Sequence, residues 1–142
     1  MSRHTPDPAV WSDLFAAAID AAISPDCWRE LCDRIAAAHG QAAFMVFAYD
    51  LQRHAAPLFH GSRALWEEAA PFRKDLETGS NPGDAEAYAI MSSVPAGRIL
   101  TEAVCYGLPP QAPPPPNPWR DRLLAAVGAE ARFAMKLNDA GP

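Results

Sequence analysis

Between Pro109 and Pro118 the chain reads Pro-Pro-Gln-Ala-Pro-Pro-Pro-Pro-Asn-Pro, and no regular hydrogen-bonded element survives such a run. Each proline fixes φ near −65° and removes a backbone donor, which leaves loop or polyproline II as the available conformations. Residues 107–118 are therefore expected to form a stiff surface loop. The sequence has 15 prolines in 142 residues, roughly twice the usual share of about 5%. Regular structure has to form before this loop or in the 24 residues that follow it.

Before the loop, helix signals come first. Asp7 can cap a helix with Pro8 at its first position, where a missing N–H costs nothing. Trp11, Leu14, Phe15, Ala18 and Ala22 then recur at helical spacing and read as its packing face. Ser24-Pro25-Asp26 starts a second helix at once, with Trp28, Leu31, Cys32, Ile35 and Ala36 on one side and Gly40 as a left-handed terminator. Such close succession predicts a packed helix pair.

The period then changes. Ala43 to Tyr49 is apolar at every position and predicts a strand buried on both faces. A weaker strand from Ala55 to His60 contains Pro57, which implies an edge or a bulge. Residues 63–78 read as a helix that Pro71 kinks or splits, and Asp84 to Ser93 as a short helix presenting Tyr88 and Met91. Ile99 lies in a short strand, and Trp119 to Val127 in a helix ended by Gly128. The last strand, Arg132 to Leu137, alternates. Its reading puts Phe133, Met135 and Leu137 toward a core, and Arg132 and Lys136 toward water. Asn138-Asp139-Ala140-Gly141 then resembles a hairpin turn with no returning strand.

Composition narrows the function classes. The length suits one domain, 1–142. The apolar fraction is 49%, but 29 of those residues are alanine, so the core is modest. A net charge of −5 and a pI near 5.2 argue against the whole chain being a nucleic-acid-binding domain, while leaving room for a small local patch. Three cysteines without paired spacing point to reduced thiols. The N-terminus lacks the apolar core of a signal peptide, and no stretch reaches the roughly 18 apolar residues of a membrane span. A soluble cytoplasmic protein with no membrane partner is the expectation.

Chemistry-bearing patterns are sparse. There is no Gly-x-Ser-x-Gly, Gly-x-Gly-x-x-Gly, phosphate loop or His-Glu-x-x-His. Cys27 and Cys32 are five residues apart, about 140° around a helix, and do not share a metal. His54 and His60 have no third ligand at a persuasive spacing. The four tryptophans, Trp11, Trp28, Trp66 and Trp119, read mostly as packing residues. These patterns predict a protein that is not an enzyme and needs no metal or cofactor.

In order along the chain, several landmarks resemble a known family. They are Ala16-Ala17-Ala18-Ile19-Asp20 followed by Pro25-Asp26-Cys27-Trp28, the strand ending Tyr49-Asp50, and Gly61 after the second strand. Asn81-Pro82, Pro95-Ala96-Gly97-Arg98-Ile99, Trp119 and the strand Arg132 to Leu137 complete the set. Together they resemble the N-terminal PAS/GAF-like sensory domain of LuxR-type helix-turn-helix transcriptional regulators of proteobacteria. A further strand and the DNA-binding domain of that family have no counterpart in the sequence, and the proline-rich stretch replaces the segment after Gly97.

The resemblance implies an α+β fold: a PAS/GAF-like antiparallel sheet of three or four strands, an N-terminal helix pair over one face, and flanking helices that shape a pocket. The implied function is a non-catalytic regulatory or sensory module that binds a small apolar or aromatic ligand or a partner protein. Alternation and aromatic content select Phe44, Val46, Tyr49, His60, Trp66, Tyr88 and Phe133 as lining residues, with Tyr49 and His60 orienting a polar group. The alternative is an interaction module whose last strand pairs with another chain, as homo- or hetero-oligomer. Expected partners are a small ligand, and a second copy or a regulatory protein, without direct nucleic-acid binding.

Overall fold

A computed structural model describes residues 7–137. The expected hairpin turn at 138–141 lies outside the described residues. The fold is α+β. Its first helix, α1, spans Pro8–Ile23, and the Asp7 carboxylate accepts from Ala9 N at 2.9 Å. Residues Pro25–Cys27 make a single 3₁₀ turn before α2, Trp28–Ala38, and Gly40 takes the left-handed conformation after it. The apolar face expected for α2 is buried at Leu31, Cys32 and Ala36.

The face expected for α1 is not. Ala17 and Ala21 meet α2, while Trp11, Phe15, Ala18 and Ala22 lie exposed. Small residues let the helices approach closely, and the helical period then turns the large ones outward.

Strands β1, Met45–Asp50, and β2, Ala55–Gly61, pair antiparallel, with Val46 opposite His60 and Phe47 opposite Phe59. The register slips between Ala48 and Asp50, where Ala56 and Pro57 face the single residue Tyr49. This is the bulge that Pro57 demands. The period of two sorts the side chains. Met45, Phe47, Tyr49 and Phe59 share one face; Val46, Ala48, Leu58 and His60 share the other.

The stretch after β2 splits at Pro71 into α3, Arg63–Glu67, a 3₁₀ turn at Ala70–Phe72, and α4, Arg73–Thr78. Asp33 of α2 accepts from Arg63 N at 2.6 Å and so holds the start of α3. Next come α5, Ala85–Ser92, β3, Ile99–Thr101, and the single turn α6, Glu102–Cys105. Residues 107–117 are loop, and Pro118–Val127 is α7, capped by Asn117 through Arg120 N and closed by left-handed Gly128. Strand β4, Phe133–Met135, pairs antiparallel with β3.

Two separate two-stranded sheets thus replace the single sheet of three or four strands that the resemblance implied. The core is correspondingly divided. Leu65, Ala69, Leu76, Trp119, Leu123 and Val127 pack with Met45 and Phe59 on one face of β1–β2. α2 covers the other face, with Trp28 stacked on His60 at 4.8 Å. A third cluster joins Ala87, Leu100 and Cys105 beneath the second sheet. Among the described residues no helix is long and apolar enough to cross a membrane.

Gly79 ends α4 at φ +68°, and a Cβ placed there would lie 2.7 Å from the backbone N of Ala56. Gly128 has a similar φ of +70° but open space around it. Gly128→Ala should therefore cost about 1 kcal/mol from backbone conformation alone. Gly79→Ala should cost on the order of 1–3 kcal/mol more, because α4 must separate from β2. Equilibrium urea unfolding of the two variants checks the difference.

Candidate functional site

The most elaborate chemistry in the molecule is a polar network under the second sheet. The break after α4, Ser80-Asn81-Pro82-Gly83, delivers Asn81 and Asp84 to the interior, where both are almost fully buried. Asp84 is met by a two-pronged guanidinium. Arg132 donates through Nη1 to Oδ2 at 2.8 Å and through Nη2 to Oδ1 at 3.0 Å. Asn81 Nδ2 donates to Asp84 Oδ2 at 3.2 Å, and the Tyr106 hydroxyl lies 2.9 Å from Oδ1 and 2.8 Å from the Gly83 carbonyl. Both oxygens of Asp84 are thereby fully used.

The network continues through Glu102. Its Oε1 accepts from Arg132 at 2.6 Å and from Arg120 at 3.0 Å, and Arg120 also donates to the Pro115 carbonyl at 2.9 Å. Arg120 thus fastens the proline-rich loop onto α7. Asn117 adds a second tie, donating to the Pro82 carbonyl at 2.8 Å. Burial opposes the charge on Arg132, but the hydrogen bonds and negative charges of Asp84 and Glu102 outweigh it and hold the guanidinium charged. Burial, then the Asp84 charge, pushes the Tyr106 hydroxyl up to about 12.

An aromatic wall adjoins the network. Tyr88, on α5, receives Asn81 Nδ2 at its hydroxyl at 2.9 Å. Its ring meets Tyr49 at a centroid distance of 4.2 Å and Phe47 at 5.4 Å. Burial, with the Asp84 charge nearby, pushes the ionisation of both Tyr88 and Tyr49 to higher pH, so both stay neutral. Two polar atoms at this junction are buried without a partner, the Tyr49 hydroxyl and Asn81 Oδ1. An unpaired buried polar group costs about 1–3 kcal/mol.

A second, shallower feature is a cleft of about 370 Å³ lined by Pro25, Asp26, Arg29, His60, Gly61 and Trp66. Its tryptophan is already engaged. Arg73 lies 4.4 Å and Arg29 5.7 Å from the Trp66 ring centre, and Trp66 Nε1 donates to the Gly61 carbonyl at 2.9 Å. Burial lowers the proton affinity of His60, which favours the neutral ring stacked on Trp28.

The seven residues selected from sequence do not line one pocket. Tyr49 and Tyr88 meet, their ring centroids 4.2 Å apart. His60 and Trp66 meet in the other cleft, because the pleat sends His60 to the opposite face of the sheet. Val46 shares that face, and half-buried Phe44 precedes β1, its backbone paired with Ser62. Phe133 is corrected outright: it is 62% exposed, with Met135 at 46% and Leu137 at 66%, so these residues face away from the core. The strand is turned over because Arg132 points inward to two buried carboxylates, and Lys136 donates to the Ser92 carbonyl at 2.8 Å. Trp11 is likewise exposed rather than packed.

Asn81, Asp84, Glu102, Tyr106, Asn117, Arg120 and Arg132 were missed as site residues. The local signal was a polar pair, Asn81 and Asp84, flanking a Pro-Gly break. Among the described residues no group of three or more His, Cys, Asp or Glu is placed to hold a metal. Comparison of the chain with protein-family models, with curated proteins and with solved structures finds no match.

Removing one member of a buried pair strands the other. Arg132→Met should lower stability by about 3–5 kcal/mol, against about 0.5 kcal/mol or less for Arg122→Met on the exposed side of α7. Arg132→Met combined with Asp84→Leu should lose less than the sum of the single changes, measured by denaturant unfolding. The Tyr106 shift has a definite sign. The fold favours the protonated hydroxyl, so its contribution is complete below the ordinary tyrosine value near 10 and is lost as pH rises through about 12. Unfolding series across that window should show falling stability, with a shallower slope in Tyr106→Phe.

Proposed function

We propose that the chain is a non-catalytic regulatory module of the PAS/GAF-like sensory kind, acting in the cytoplasm by binding rather than by chemistry. The observation that carries this reading is the pair of unpartnered buried atoms, the Tyr49 hydroxyl and Asn81 Oδ1, at the edge of an aromatic wall. The ligand is small, with an apolar or aromatic body. It presents a hydrogen-bond donor to Asn81 Oδ1 and a polar group to the Tyr49 hydroxyl. Binding parts Tyr49 from Tyr88 and is conveyed through Asn81 to Asp84 and Arg132, hence to β4.

The charged side chains of the network support binding over catalysis, since Asp84, Glu102 and Arg132 are consumed by one another. The cysteines point the same way. Burial raises the thiols of Cys32, up to about 11, and of Cys105, away from the reactive thiolate.

A second reading has its own observation. Phe133, Met135 and Leu137, with Ile99 across the ladder from Met135, form an outward apolar face on the second sheet. A partner chain adding a strand beside β4 would extend this face with its own apolar side chains.

Native mass spectrometry of gently purified chain separates the two. The ligand reading expects extra mass that leaves on denaturation, with occupancy at least tenfold lower in Asn81→Leu. It fails if the chain flies bare and Tyr49→Phe is more stable than the parent, since the hydroxyl would then be only a burden. A ligand-free oligomer that Met135→Asp dissociates into folded monomers would favour strand addition.

A further inference from the structure

α1 carries an apolar ridge that its own fold leaves largely open, although Trp11 meets His39 edge-on at a ring-centroid distance of 6.3 Å. Trp11, Phe15, Ile19 and Ile23 recur every four residues and are 51%, 73%, 51% and 79% exposed. They form a continuous ridge on the side away from Ala17 and Ala21, the residues that meet α2. We propose that this ridge is the seam of a symmetric homodimer, in which α1 crosses α1 of a second copy antiparallel. The inference stands independently of any ligand at Tyr49 and Asn81.

Four features select a second copy as the occupant. The first is size order along the ridge. The aromatic residues occupy the N-terminal half and the isoleucines the C-terminal half. An antiparallel two-fold therefore sets Trp11 against Ile23 of the second copy and Phe15 against its Ile19, large against small at every level. Such self-complementarity is what an isologous interface requires.

The second feature is charge. The ridge itself contains no ionised side chain. Asp13 and Asp20, the acids within α1, lie on its flank toward α2, where Asp13 is 3.7 Å from Arg34. A partner selected by opposite charge would find nothing to read on the ridge, whereas a second neutral ridge fits it.

The third is area. The four side chains expose on the order of 500 Å² in one copy, so their complete burial in two copies would remove roughly 1,000 Å², about the threshold that a specific interface has to clear. One chain alone would carry this beside the second apolar face on β3–β4, and patches at the upper end of what monomers expose often mark interaction sites. The fourth is geometry. Residues spaced by four form the ridges whose mutual interdigitation gives a crossing near −50°, and antiparallel helices oppose their dipoles favourably.

Sedimentation equilibrium of the full chain tests the proposal. The expected result is a dimer at about 50 µM, with Phe15→Asp and Ile19→Asp each weakening association at least 100-fold. Both positions are exposed in the monomer, so the variants should retain the parental circular dichroism spectrum. Met135→Asp should leave the dimer intact. Orientation is read by oxidation in a Cys27→Ser background: a mixture of Phe15→Cys and Ile19→Cys should form the mixed disulfide in preference to either self-disulfide. A monomer at 50 µM would overturn the proposal. So would a dimer dissociated by Met135→Asp but not by Phe15→Asp, or a preference for self-disulfides.

Discussion

The pairing of Arg132 with Asp84 joins residues 48 apart and organises the second half of the molecule. One guanidinium faces two carboxylates, Asp84 and Glu102, and the second carboxylate is shared with Arg120. Four elements are bound by it: the turn before α5, the start of α6, the start of α7 and the approach to β4. Isolated buried ions are costly in an interior of low dielectric, so the four groups are tolerable only together. That dependence also dictates the orientation of β4. Once Arg132 is committed inward, a period of two leaves Phe133 and Met135 no choice but to face out.

The first half is organised on a different principle. Its contacts are made by aromatic and aliphatic side chains on both faces of β1–β2, with hydrogen bonds at their margins. Trp119 illustrates the join. Its ring packs edge-on against Phe72 at 5.6 Å while its indole N–H reaches Asp75 at 2.8 Å, so α7 is held to the 3₁₀ turn by packing and to α4 by polarity. The aromatic wall of Phe47, Tyr49 and Tyr88 is where the two halves meet, apolar on the strand side and polar on the Asn81 side. The ligand proposed for that junction would have one greasy end and one wet end.

What was legible in the sequence was whatever a single residue decides about its own backbone. Asp7-Pro8 starts α1, Pro71 breaks the third helical stretch, Pro57 forces a bulge, and Gly40 and Gly128 close helices. The direction in which a face points was not legible, because distant partners decide it. Nothing near Arg132 announces that two carboxylates will be waiting inside, and nothing within α1 announces that alanines rather than Trp11 and Phe15 will meet α2. Tyr49 and Tyr88 were singled out because aromatic rings stand out by type. Asn81 and Asp84 were overlooked because polar residues at a Pro-Gly break ordinarily belong to solvent.

The two sheets differ in how they are defended against stray chains. Along β2, Pro57 withholds a donor within its bulge, and the turn at Gly79 presses against the backbone of Ala56. Both devices obstruct an incoming strand. On β3 and β4 the described residues offer neither proline nor bulge, and Ile99, Phe133 and Met135 stand in the open. Misassembly under heat or overexpression should therefore begin at the second sheet. A fibril grown from this chain would carry its protease-resistant core near Phe133, far from the longer and more apolar strands that a scan for aggregation-prone segments would choose.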